Sequence, residues 1–188
     1  MDMPNLVERM TSFDMIAPIR TERLLLIPFT RRMVRALLAG NPAELIKLGL
    51  NNHAAWPDAE TLATLPKIMA NLRQVAEPTG FESWIIVKRD GRLGIGDAGF
   101  KGRPNAAGEV DLGYSIIREE WRRGYGFEAA RALVDWAFAQ PEVQAVTAEC
   151  RVDNAGSARI LAKLGMSELL RMSGMIHWYV EKPLPEAK

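Results

Sequence analysis

The spacing of apolar residues changes period near Ser83, and this change limits the architectures open to the chain. Upstream, apolar residues recur on one helical face: Met33, Val34, Leu37 and Leu38 within 31–38, where Thr30 is placed to cap, and Leu62, Leu65, Ile68, Met69 and Leu72 within 58–76. Residues 42–50 also read as helical. Downstream come short runs of strand character at 83–89 (SWIIVKR), 93–101 and 109–117 (EVDLGYSII). Between the first two, Asp90-Gly91 predicts a two-residue type I′ hairpin turn, because both central positions need positive φ. An earlier apolar run, 23–29 (RLLLIPF), suits a buried strand whose Pro28 end lies near an edge. The pattern then alternates: helix 127–139, strand 146–150, helix 154–164, and a closing hairpin of 167–171 with 175–181 around Ser173-Gly174. Helices, then an antiparallel meander, then strand-helix-strand-helix-strand predict one mixed α/β sheet with helices on both faces.

With 188 residues, 48% of them apolar, the chain can bury a core, and one domain over 18–182 is expected, between an extension at 1–17 and a tail at 183–188. Twenty-four basic and 23 acidic residues leave a net charge of +1, so no bulk field favours nucleic acid or an anionic membrane. A single cysteine, Cys150, excludes an internal disulfide and a cysteine-cluster zinc site; with only His53 and His177, a histidine metal site is not expected either. The first 17 residues contain Asp2, Glu8, Arg9 and Asp14 and no continuous apolar core, and no stretch is long and apolar enough to span a bilayer. A cytoplasmic protein, monomer or homodimer, is the expectation.

Two glycine-rich stretches compete for a phosphate ligand. Gly94, Gly96 and Gly99 spell the Gly-x-Gly-x-x-Gly of dinucleotide sites, but that fingerprint needs a helix opening on its third glycine. Here the hairpin places the glycines on a returning strand, and 100–105 has no helical spacing. An NAD site is therefore not expected there; a strand closely approached by another backbone or a ligand is.

At 121–129 (WRRGYGFEA) a strand does run into a helix through glycines. Gly124 and Gly126 remove the β-carbons that would hold a ligand off the backbone, the amides at a helix start lack partners, and the dipole favours an anion. Arg122 and Arg123 suit a pyrophosphate or a 3′-phosphate. The same residues also fit a plain helix start with tight packing and solvated arginines. No Lys-Ser/Thr pair follows Gly126, so a nucleoside triphosphate loop is disfavoured.

Together, WRRGYGFEA and the N-x-x-S-x-x-x-L-x-K-L-G-M of 154–166 resemble the GNAT acyltransferases, and within them the branch that acetylates amino termini of ribosomal proteins; TERLLLIPF and VDLGYSI add to the likeness, which runs over about residues 18 to 182. The resemblance implies a mostly antiparallel sheet, acetyl-CoA as co-substrate, and an acceptor that is a protein or peptide amino terminus or a small-molecule amine. It implies that Arg122, Arg123, Gly124, Tyr125, Gly126 and Phe127 hold the pyrophosphate, that the pantetheine pairs with backbone near Tyr114, Ser115 and Ile116 where strands splay, and that Asn154 bonds the arm. Trp121 stands where the family commonly has glutamine or arginine. Asparagine is also a favoured helix cap, and the two roles are compatible.

Acetyl transfer needs a neutral amine, a polarised carbonyl and a proton for the leaving thiolate. Glu109 resembles the family's base, working through a water; Asp111, two residues on and on the same strand face, is the second candidate. Both also suit surface carboxylates at a strand beginning. The tyrosine that many members use as acid is missing from the helix after Asn154, and Ser157 stands at the serine position of the ribosomal branch, to protonate or to orient the thiolate; Tyr114 and Tyr125 are lesser substitutes. Trp56, Trp84 and the helices of 42–76 are expected to wall the acceptor side. The missing tyrosine also leaves a non-catalytic acetyl-CoA-binding module open.

Overall fold

The computed structural model describes residues 16–184 except 42 and 52. The expectations for the amino-terminal extension and the last residues of the tail lie outside the described residues. The elements are β1 (Ile19–Arg20), β2 (Leu24–Pro28), α1 (Arg31–Leu38), α2 (Ala43–Lys47), α3 (Ala59–Leu72), β3 (Ser83–Lys88), β4 (Leu93–Phe100), β5 (Glu109–Ile116), α4 (Tyr125–Ala139), β6 (Ala145–Arg151), α5 (Ala155–Lys163), β7 (Ser167–Met172) and β8 (Met175–Glu181). Among the described residues, the strands form one sheet in the order β1-β2-β3-β4-β5-β6-β8-β7. Every pairing is antiparallel except β5 with β6.

Caps fix where the early helices begin. Thr30 accepts from the Met33 amide at 3.2 Å and Asp58 from the Thr61 amide at 2.8 Å, satisfying donors that a helix start leaves without partners. The buried stripe of α3 is Thr61, Leu65, Ile68, Met69 and Leu72. The predicted 42–50 helix shortens to α2, and 58–76 to α3 after its Asp58 cap.

The β3–β4 turn corrects one expectation. Lys88 pairs with Leu93, so four residues join the strands, and positive φ falls on Gly91 (71°) and Arg92 (51°) rather than on Asp90 and Gly91. The pairing also shifts register between Ile86 and Val87, a bulge just before the turn. The β7–β8 turn is as predicted, with Ser173 at 52° and Gly174 at 78°.

Register assigns the two faces. Trp84, Ala98 and Tyr114 lie in one cross-strand row, and Trp84 packs edge-on against Trp136 of α4 at 5.8 Å between ring centroids. Ile85, Asp97 and Ser115 form the neighbouring row on the opposite face. That face also carries Gly94, where an added β-carbon would strike the Trp56 ring. Trp84 therefore belongs to the core under α4 and not to the side walled by Trp56, a correction that follows from alternation along β3.

Candidate active site

The glycine turn expected as a phosphate cradle runs into a helix start at Tyr125. Arg122 (φ 62°) and Gly124 (φ 83°) turn the chain into α4, and no side chain caps the helix. Among the described residues, the first amide to bond back to the turn is that of Glu128, to the Gly124 carbonyl at 3.1 Å, leaving the amides of Tyr125, Gly126 and Phe127 at an open helix start. Glu128 in this first turn would repel an anion. Burial works against its charge, but Thr21 and Arg23 hydrogen-bond its carboxylate and hold it below the usual range, and Arg23 neutralises it at 2.7 Å. Arg123 points to Glu120, at 3.3 Å. Lys163 of α5 brings a further cation, 4.1 Å over the Phe127 ring, which sequence spacing did not reveal. Trp121 donates from its indole to the Ile116 carbonyl at 2.6 Å, so it closes the cradle onto β5 in place of a polar side chain.

A gap leads inward from the cradle. β5 and β6 pair from Glu109 with Ala145 to Leu112 with Ala148, then part. Gly113, Tyr114, Ser115 and Ile116 keep their partners on β4 but have none on β6. An extended amide-bearing chain fits such an exposed strand edge. Open amides at one end and this edge beyond them fit the pyrophosphate and pantetheine of acetyl-CoA.

Near the closed end, the Tyr114 hydroxyl lies 2.9 Å from the Ser157 Oγ. Burial pushes the phenol up to about 12, with the Ser157 hydrogen bond working against the shift. Asn154 accepts from the Ser157 amide at 3.0 Å, which caps α5 and leaves the Asn154 amide group available as a donor.

The opposite face of β5 carries the candidate bases. Asp111 is one residue from the end of the β5–β6 pairing. Burial raises its carboxyl, against the pull of Lys101, whose Nζ lies 2.6 Å away. Lys101 also approaches Glu149 at 3.6 Å, and Glu149 meets His177 at 3.1 Å, completing a charged row unmarked in the sequence because its members come from four strands or their ends. Glu109 opens the strand, farther from the gap, where the exposed Asn105 donates to its carboxylate at 2.9 Å. The structure thus brings Tyr114 and Ser157 together beside the gap on one face, places Asp111 one residue short of it on the other, and leaves Glu109 about one strand repeat, ~7 Å, farther along β5.

The stretch 93–100 is one continuous strand, with no helix opening from its glycines. An added β-carbon at Gly96 would strike the Ser115 carbonyl, and at Gly99 the backbone of Glu82 and Ser83. These two glycines are closely approached by neighbouring backbone, the first of the two approaches expected for this strand.

A family model described as an acetyltransferase (GNAT) domain matches residues 23–167. The chain belongs to the GNAT acetyltransferases. It is 35% identical over 137 residues to the uncharacterized N-acetyltransferase YjdG of Bacillus subtilis strain 168, covering 72% of this chain and 82% of that protein. The ribosomal-protein-S5-alanine acetyltransferase from Vibrio fischeri shares the fold with a TM-score of 0.61 at 15% identity, over 89% of this chain and 97% of the other. RimL, the ribosomal L7/L12 alpha-N-protein acetyltransferase solved with coenzyme A, does so with a TM-score of 0.61 at 16% identity, over 87% and 97%. As a GNAT enzyme the chain is an acetyl-CoA-dependent N-acetyltransferase acting on an amine. No described helix is long and apolar enough to cross a membrane, and no group of three metal-ligating side chains occurs among the described residues.

Proposed function

We propose that this GNAT enzyme acetylates a primary amine, in the first place the amino terminus of a protein or peptide, by direct attack within a ternary complex. The Tyr114–Ser157 contact beside the β5–β6 gap carries the reading, because it puts a hydroxyl pair where a thiolate would leave. Two proteins of the same fold are named for ribosomal-protein substrates, which supports the choice of acceptor.

The co-substrate supplies a thioester carbonyl. The open amides of Tyr125, Gly126 and Phe127, with Arg122, Arg123 and Gly124 around them, hold its pyrophosphate. The free edge of Tyr114, Ser115 and Ile116, with Asn154 opposite, orients its arm. Asp111 takes a proton from the attacking nitrogen as the C–N bond forms, and Glu109 acts behind it through water. As the C–S bond breaks, Ser157 hydrogen-bonds the sulfur and passes it a proton. With Tyr114, whose phenol keeps its proton at neutral pH, as the donor in its 2.9 Å contact with the Ser157 Oγ, the serine hydrogen is left free to face the sulfur. The amine loses one proton, the thiol gains one, and the step balances.

The test is coenzyme A release with acetyl-CoA and a panel of peptides and small amines, followed by mass spectrometry of the products. Acetylated peptide amino termini are expected. Acetylation confined to small amines would replace the acceptor, and release unaffected by any acceptor would overturn the transfer reading.

A further inference from the structure

Asp97 is the one charged residue of β4, yet the residue is only 7% exposed and its Oδ1 is buried with no hydrogen-bond partner among the described residues. A buried carboxylate without a partner is costly and marks a place where a ligand, rather than the protein, completes the bonding. Its surroundings do not neutralise it. Burial is the main cause that lifts its carboxyl to about 7, and Glu60 and Asp58, both acidic and at the start of α3, add to the lift. Glu60 is exposed and Asp58 half-buried, so both acids are nearer to solvent than the buried Asp97. A second orphan lies on the same face: the buried Trp56 Nε1 has no acceptor, and its ring covers Gly94 of β4.

Register relates this acid to the reaction. Asp97 pairs with Ser115, and Gly113, two residues back on β5, is exposed with open space where a β-carbon would stand. Asp111 lies two residues beyond Gly113 on the same face. Gly113 is thus flanked by one carboxylate on either side, each about 7 Å away along the strand direction. Asp111 serves the reacting nitrogen; Asp97 remains for something else.

We infer that Asp97, with Asp58 and Glu60 above it, anchors a second, non-reacting cationic group of the acceptor, so that the preferred acceptor is an amine bearing another ammonium or guanidinium nearby. The inference rests on the acetyl-transfer reading. Its ligand chemistry is met either by a small diamine or by an amino terminus followed by a basic side chain.

The test uses the full chain and Asp97→Asn, with acetyl-CoA, and compares kcat/KM for putrescine against n-butylamine and for an Ala-Lys peptide against an Ala-norleucine peptide. The dication of at least one pair is expected to be favoured about tenfold or more by the wild type, with the ratio falling toward one in Asp97→Asn. The pair that shows the preference identifies the source. Asp58→Asn, which keeps a capping side chain, should lower the ratio partway. Equal use of both members in both pairs, or a preference untouched by Asp97→Asn, overturns the anchor. Calorimetric titration of putrescine and of the Ala-Lys peptide into the protein with coenzyme A reads the anchor without turnover: binding of either by the wild type, weakened in Asp97→Asn, supports it, and binding of neither, or binding that Asp97→Asn leaves unchanged, overturns it. Failure of acetyl-CoA to shift the melting temperature, with no release for any amine, overturns acetyl transfer separately.

Discussion

The Tyr114 hydroxyl and the Ser157 Oγ, 43 residues apart in sequence, stand 2.9 Å from each other and tie β5 to α5 beside the gap. If the serine faces the sulfur and the tyrosine sets its rotor, they act in series. Ser157→Ala and Tyr114→Phe should each lower kcat about 10- to 100-fold, and the double variant should lose little more than the worse single one. The acetyl-CoA dissociation constant, measured by calorimetry, should stay within about threefold of wild type in both, since neither residue holds the pyrophosphate. Additive losses would separate the two roles.

Gly96 is fixed by backbone rather than by a ligand. Its added β-carbon would strike the Ser115 carbonyl on β5, where only movement of a strand relieves the contact. Gly96→Ala should destabilise by about 1–3 kcal/mol in urea unfolding and should abolish no NAD response, because the wild type should show none in a thermal shift. Unchanged stability would mean that β4 and β5 separate more easily than their register implies.

What the sequence could disclose followed from the range of each interaction. Caps, helical stripes and the cradle rest on neighbours a few residues apart, so Thr30, Asn154 and the 121–129 turn were legible. The β3–β4 turn was misplaced by one residue because Asp90-Gly91 signals a two-residue loop, whereas the ladder ends at Lys88 and Leu93 and leaves a four-residue loop with positive φ on Gly91 and Arg92. Trp84 was put on the wrong face for the same kind of reason: alternation gives two faces, and packing against Trp136 decides which one meets α4. Asp97 was passed over because a lone acid in a glycine-rich strand gives no sign of burial. The alternation of 111, 113 and 115 could have grouped the acids of β5 with an open glycine, but only cross-strand register adds Asp97 to them.

Asp97 also makes folding sensitive to pH. Its carboxyl is raised from 3.8 to about 7 by burial and then by Glu60 and Asp58, so the unfolded chain releases this proton at lower pH than the native one. Between those two values the native state binds more protons, and the group's contribution to stability falls as pH rises, levelling above about 7. Asp97→Asn cannot ionise and escapes that loss. Urea unfolding should find it more stable than wild type by on the order of a few kcal/mol near pH 8, with the difference shrinking toward about pH 4. A difference independent of pH would show that Asp97 does not ionise differently in the two states.

The two candidate bases differ in their place along β5, and kinetics can tell them apart. Asp111 lies one residue short of the parting of β5 and β6, whereas Glu109 is two residues farther from it and held by Asn105. Asp111→Asn should lower kcat by about 100-fold or more at saturating acetyl-CoA, and Glu109→Gln by about tenfold or less. Burial raises the Asp111 carboxyl and Lys101 opposes it, so the wild-type rate should fall on the acid side as this group takes up its proton, and that limb should vanish in Asp111→Asn. Lys101→Met removes the opposing cation, so the same limb should move to higher pH; a limb that stays in place would take the base role away from Asp111.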